Sequence, residues 1–321
     1  MAEHLAAIAH AEGARREAEE SETLGYAVGL FTWVLAGGVF VAAKAAVEEL
    51  PPWTLVFFRV LIAALVLIPF VARHFAAMRD LMRKRGLEVL FVGALGLGIT
   101  QGLVFIGLGY TSAVNAGIVF AISPIMTLLL ARFVLGEALG PWQALGSLVA
   151  FAGIVLIAVR GSLATLVALD VSVGDLIVLA AALLFAIYTV LLRRAKFDIG
   201  RMPLLVVLLL GGVISSAPFF VAEIVQGAHE NLALTGVMAL LYAAIPGGAL
   251  MYLMFNWSVD ILGAGRAGGL MYSQMVFTAI LAFLILGEPI AWFQYAGAGL
   301  IIAGVVLITF LKAKPAATSS R

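Results

Sequence analysis

Cysteine is missing altogether from the 321 residues, which removes disulfides, thiolate nucleophiles and cysteine-ligated metals from consideration. Charge is scarce as well. Asp, Glu, Lys and Arg make up 12% of the chain and hydrophobic residues 64%, whereas a soluble domain carries about 25% and 45–50% respectively. The mean hydropathy of +1.14 makes this an integral membrane protein. Acidic and histidine side chains are almost absent from the interiors of the apolar runs. His4, His10, His74 and His229 all lie outside them, and Glu48, Glu49, Glu88, Glu137, Asp170, Asp175, Glu230, Asp260 and Glu288 fall in loops or at helix ends, with Glu223 near the end of a run. Carriers driven by protons commonly place Asp, Glu or His within the membrane, so a facilitator or an exchanger fits this chain better. Residues 1–23 are not expected to be a secretory leader: they hold six glutamates against Arg15 and Arg16, where a signal peptide opens with a basic stretch and a short apolar core. They read as a solvated cytoplasmic lead.

What is present is a series of runs long enough to cross hydrocarbon, which takes about 17–25 residues. Ten are expected, near 24–43, 53–72, 87–109, 113–134, 141–159, 174–192, 203–226, 234–259, 264–286 and 291–311. Cytoplasmic loops carry the excess of Lys and Arg. Of the 19 such residues, all but Lys44, Arg160 and the embedded Arg59 fall on the side that holds both termini. Both termini are therefore expected in the cytoplasm, and the fold class is all-α integral membrane.

One phrase is written twice. Leu135-Gly136-Glu137 ends the fourth run and Leu286-Gly287-Glu288 ends the ninth, 151 positions later. In the same register follow Gln143 and Gln294, Gly146 and Gly297, Ala152 and Ala303, and Gly153 and Gly304. Five spans per repeat is an odd number, so the second half must thread the membrane upside down relative to the first. Inverted halves of this kind supply the two alternating states of a transporter. The expected organisation is a lead (1–23), a first five-helix repeat (24–159), a second (174–311) and a cytoplasmic tail (312–321).

The paired Leu-Gly-Glu phrases, each followed by Gln and a Gly-x6-Gly-x2-Leu-Ile run, resemble the ten-helix EamA-repeat branch of the drug/metabolite transporter superfamily. Gly37 to Lys44, Pro51, Pro52, Arg59 and Ser123-Pro124 carry the resemblance further. It departs at Ala36, where members often have Trp, and at Gln274-Met275, opposite Ser123-Pro124. The resemblance implies export of small metabolites from bacteria through the inner membrane, and it is nearest to exporters of aromatic and other amino acids.

Candidate cavity residues are polar or aromatic groups near span centres. Thr100 and Gln101 sit in a glycine-rich stretch, and an amide there would bond a zwitterion or, equally, a neighbouring helix. Ser123 precedes the proline that breaks the fourth span. Phe185 and Tyr188 share a face of the sixth, while Tyr252, Asn256 and Gln274 lie in the eighth and ninth, and each aromatic has packing as its alternative. Arg59 is the one cation clearly within a run rather than at its end; it either meets a carboxylate or a gate, or snorkels to the interface. Trp33, Trp53, Trp142, Trp257 and Trp292 mostly fall near span ends, as an interfacial belt requires, above all Trp53, Trp142 and Trp292. Glu137 and Glu288 read as carboxylates near the next helix N-terminus.

No catalytic residue, cofactor or metal is expected. An intramembrane enzyme would need a nucleophile with a base, or a metal cluster, and drug efflux is the nearer alternative to export of amino acids such as threonine, methionine and the aromatic ones. Phosphorylated substrates would call for several cations. Expected partners are an amino acid or similar metabolite and the lipid bilayer, with no nucleic acid, in a monomer or weak dimer.

Overall fold

A computed structural model describes residues 20–39, 50–111, 116, 119–137, 140–162, 164, 172–227, 234–286 and 291–310. Among these the secondary structure is helical throughout. In chain order the helices are α1 (Glu20–Val39), α2 (Pro52–Val71), α3 (Phe75–Gly93), α4 (Thr100–Leu108), α5 (Ser123–Leu130), α6 (Pro141–Ala158) and α7 (Val173–Ala195). There follow α8 (Arg201–Val225), α9 (Leu234–Ala244), α10 (Met251–Leu262), α11 (Ala264–Gly269), α12 (Ser273–Leu286) and α13 (Trp292–Phe310). Among the described residues, five continuous helical stretches are long and apolar enough to cross a membrane: Glu20–Val39, Pro52–Leu108, Val173–Ala195, Arg201–Val225 and Gly236–Leu262. Shorter apolar helices cover Ser123–Leu135, Pro141–Ile157 and Trp292–Ile308.

The 57-residue stretch Pro52–Leu108 would extend about 86 Å if straight at 1.5 Å per residue, far beyond one bilayer. It folds back instead. A 3₁₀ turn at Ala72–His74 and non-helical angles at Arg85 (φ −138°, ψ 27°) break it. Arg59 then meets Gln101, and Trp53 lies over Gly102, where a side chain would collide with the indole. The start of α2 therefore packs against α4 in an antiparallel hairpin.

Helix ends explain the repeated phrase. The Gln143 side chain accepts from the backbone N–H of Gly140 at 3.1 Å, and Gln294 accepts from Ala291 at 2.7 Å, so each copy of the glutamine satisfies one of the orphan donors that open a helix. The glycines serve packing. A Cβ at Gly146 would stand 2.6 Å from the carbonyl oxygen of Gly304, and one at Gly153 would stand 2.6 Å from that of Gly297. Gly146 of the first copy thus meets the second copy's counterpart of Gly153, and Gly153 meets the counterpart of Gly146. This reciprocal pairing is what a two-fold axis between two equivalent antiparallel helices produces, and it brings α6 and α13 backbone to backbone.

The same register recurs where the helices widen. Ala94–Ile99, between α3 and α4, and Ile245–Leu250, between α9 and α10, are π-helical and again lie 151 positions apart. Ala131–Leu135 is also π-helical and ends at Gly136 with φ 68°, a left-handed conformation that glycine adopts without steric penalty. Ser123-Pro124 breaks the fourth run in a specific way: residues 121 and 122 form a turn, and Pro124 stands in the first turn of α5, where a missing N–H leaves no bond unmade.

Candidate functional site

The centre of the molecule is one apolar cluster contributed by both halves, with Trp33 of α1, Phe185 and Tyr188 of α7, and Tyr252 and Phe255 of α10. Arg59 enters it from α2. Only 5% of its surface is exposed, so it does not snorkel. Its Nε donates to the carbonyl of Ala243 at 3.0 Å, Nη2 to that of Gly247 at 2.8 Å, and Nη1 to Oε1 of Gln101 at 2.9 Å. The guanidinium carbon stands 5.9 Å from the centre of the Tyr252 ring, a cation–π distance. The Ala243 carbonyl lies just before the wide turn Ile245–Leu250 and that of Gly247 within it, where Pro246 lacks an N–H and the helical ladder is disturbed. A guanidinium has five N–H groups, of which two remain. Among the described residues no carboxylate pairs with Arg59, an unusual state for a buried charge.

One helical turn beyond Tyr252 on the same face of α10 is Asn256, 3% exposed. Its Oδ1 accepts from the Tyr188 hydroxyl at 2.9 Å, while its Nδ2 has no hydrogen-bond partner among the described residues. The indole Nε1 of Trp33 is likewise buried and unpartnered. Rings enclose this region: Trp33 meets Phe255 edge-on at 5.7 Å, and Phe185 lies 5.6 Å from Phe255, 5.9 Å from Phe120 and 6.0 Å from Tyr188. The Tyr188 ring fits because Gly96, within the first π-helical turn, has no side chain to strike it. The arrangement offers one unneutralised cation and two free N–H donors beside aromatic walls, which suits a carboxylate attached to an apolar or aromatic body.

Arg59, Gln101, Tyr252, Asn256, Tyr188 and Phe185 are thus brought together. The other three candidates bond other groups. The Thr100 hydroxyl donates to the carbonyl of Leu95 at 2.6 Å and is spent within its own helix. Ser123 points its hydroxyl at the sulfur of Met271, 3.6 Å away, and Gln274 donates to the carbonyl of Ala36 at 3.4 Å.

Three sequence readings change. Trp53 is not a belt residue: it is buried, stacked on Phe219 at 4.2 Å and seated over Gly102. Trp142 and Trp292 do face outward. Trp33 belongs to the central cluster, a placement legible from its position midway along the first run. Glu137 does not serve the helix that follows it. Its Oε2 accepts from the N–H of Gly265 at 3.4 Å, at the start of α11 in the other half, and Oε1 lies 4.0 Å from Arg193. Glu288 lies outside the described residues. Glu223, unassigned from sequence, caps α2 by accepting from the N–H groups of Trp53 and Thr54 at 3.0 and 2.8 Å.

A model of the EamA-like transporter family matches this chain twice, over residues 23–159 and 172–310. The chain belongs to the EamA-like transporter family. This EamA-like transporter is similar to the uncharacterized transporter YyaM of Bacillus subtilis, with 29% identity over 275 residues covering 85% of this chain and 89% of that one. A transporter of Archaeoglobus fulgidus is 30% identical over 87% of this chain and 94% of its own. A chloroplastic WAT1-related protein of Arabidopsis thaliana is 28% identical over 87% of this chain and 67% of its own. A solved crystal structure shares the fold, with a TM-score of 0.72 at 20% identity over 91% of this chain and 96% of the other.

Proposed function

We propose that this EamA-like transporter exports small amphipathic metabolites, foremost amino acids with uncharged or aromatic side chains, across the bacterial inner membrane. In this reading the chain crosses ten times as two inverted repeats (24–159 and 174–311), has both termini in the cytoplasm, and works by alternating access as a facilitator or exchanger. One observation carries it: Arg59 is buried without a carboxylate partner among the described residues, and its edges are occupied by two backbone carbonyls and an uncharged amide. An ionised carboxylate would form a stronger, charge-assisted fork with the guanidinium. The free Nδ2 of Asn256 would take a further acceptor, and Phe185, Tyr188 and Tyr252 would line the side-chain end. A cationic drug would instead meet a like charge in a medium that screens it poorly.

The test is counterflow in proteoliposomes loaded with a labelled aromatic amino acid. Phenylalanine, tryptophan, threonine and methionine are expected to compete and a cationic dye to have no effect. Transport should also persist when a protonophore collapses the pH gradient. Competition by the dye alone would replace this reading with cationic-compound efflux.

A further inference from the structure

Away from the central cluster, α3 and α8 enclose a furrow of about 620 Å³ on the outer face of the molecule. Its floor is small: Ala94 and Gly211 line it, and at Gly211 a side chain would collide with the α3 backbone. Its walls, Leu87, Phe91 and Ile214, expose 90%, 58% and 59% of their surface, and the one carboxylate that lines it, Glu88, is paired with Arg85. The furrow begins at Leu87 and runs about 10 Å, at 1.5 Å per residue, to Ala94.

The segment before it has a different character. Residues 75–84 pack Met78 and Leu81 into the protein core and expose Arg79, Asp80, Arg83 and Lys84, so this segment presents a charged face at the surface. The chain then bends at Arg85 and enters the furrow wall. Two cations here are neutralised by their own helix, Lys84 by Asp80 at 2.7 Å and Arg85 by Glu88 at 2.6 Å. Arg79 and Arg83 share a face one turn apart, and among the described residues neither has a polar partner. Arg83 lies four residues before Leu87, with the bend at Arg85 between them, so two guanidinium groups that have no polar partner among the described residues stand on the segment that leads into the furrow wall.

We infer that this furrow is a binding site for an anionic phospholipid, with an acyl chain along Leu87, Phe91 and Ile214 and the headgroup phosphate held by Arg79 and Arg83. Clustered cations at a membrane interface attract anionic headgroups, and guanidinium pairs match phosphate oxygens in geometry. The charge selects the headgroup, since a neutral zwitterionic lipid offers the same chains without the net attraction. The site is independent of what the transporter carries.

Native mass spectrometry of the detergent-purified full chain tests it, with phosphatidylglycerol and phosphatidylcholine of identical acyl chains as probes. One phosphatidylglycerol should be retained in preference to phosphatidylcholine. R79A/R83A should weaken that retention roughly 10-fold to 30-fold, and I214W should weaken it by filling the furrow. R132Q, which removes an exposed cation from a different helix, should leave it unchanged. The substitutions are on the surface, and an unchanged melting temperature confirms the fold. Equal retention of both lipids, an equal loss in R132Q, or unaltered retention in R79A/R83A would each overturn the site. So would a dimer that I214W dissociates while the lipid stays bound, because a second copy would then fill the furrow.

Discussion

Arg59 concentrates the chemistry of this molecule because it is a buried cation held by neutral groups. Removing it leaves the carbonyls of Ala243 and Gly247 and the amide of Gln101 short of a donor, and hydrogen bonds to a charged group contribute about 1.5–3 kcal/mol each. Lysine keeps the charge but not the planar fork. Arg59→Lys is therefore expected to reduce transport of an aromatic amino acid by about 10-fold to 100-fold, mainly by raising KM, with the protein still inserted and folded. Asn256→Ala removes both the free Nδ2 and the acceptor of the Tyr188 hydroxyl, and should raise KM for every amino acid alike. Initial-rate measurements over a concentration series in proteoliposomes decide both. An unaltered KM in either variant would assign that residue to packing alone.

At the scale of elements, the α6–α13 contact and the two π-helical turns share the register of the sequence repeat. Polar side chains contribute little to helix association in lipid, about 0.6 kcal/mol per bond on average, so close backbone approach through glycine has to supply the van der Waals contact. Gly146→Val would push a branched side chain into the Gly304 carbonyl, and overpacking costs about 1–3 kcal/mol. Gln143→Ala removes only a donor's partner at the helix start, which costs about 1 kcal/mol. Thermal unfolding in detergent should therefore rank Gly146→Val as the more damaging of the two. The reverse order would mean that α6 and α13 are held apart from one another. The π-helical turns matter differently: at each, a glycine admits a side chain from another helix, Tyr188 at Gly96 and Val39 at Gly247, and at the second the loosened carbonyls receive Arg59.

For the whole molecule, the proposed orientation puts the turn at Tyr110 outside the cell and the turn at Asp198 inside. The cysteine-free sequence makes this directly measurable. Tyr110→Cys and Asp198→Cys change exposed positions and introduce a single thiol each. In right-side-out cells a membrane-impermeant maleimide should label the first and spare the second until the membrane is permeabilised. Labelling of both from one side would require an even number of crossings between them and would dismantle the inverted-repeat threading.

How much of this was legible in the chain follows from which interactions are local. Composition and run length alone identify a membrane-embedded helical protein, because an apolar stretch of about 20 residues has no other stable way to satisfy its backbone in lipid. The repeated Leu-Gly-Glu, glutamine and glycine positions identify two related halves and the family. Six of the candidate residues converge because each lies within a run, on the helices that the tertiary fold packs together at the centre. Which groups they bond was not legible. The partners of Arg59, Ala243 and Gly247, are 184 and 188 positions away and are backbone atoms, which carry no sequence signature. Glu137 likewise meets a helix start 128 positions along, and Trp53 is buried by Phe219 of α8. The sequence by itself determined the medium, the helices and the repeat, since those depend on hydrophobicity and spacing along the chain. Only the tertiary structure decided which side chains remain without partners at the centre, because that depends on how the two halves are pressed together.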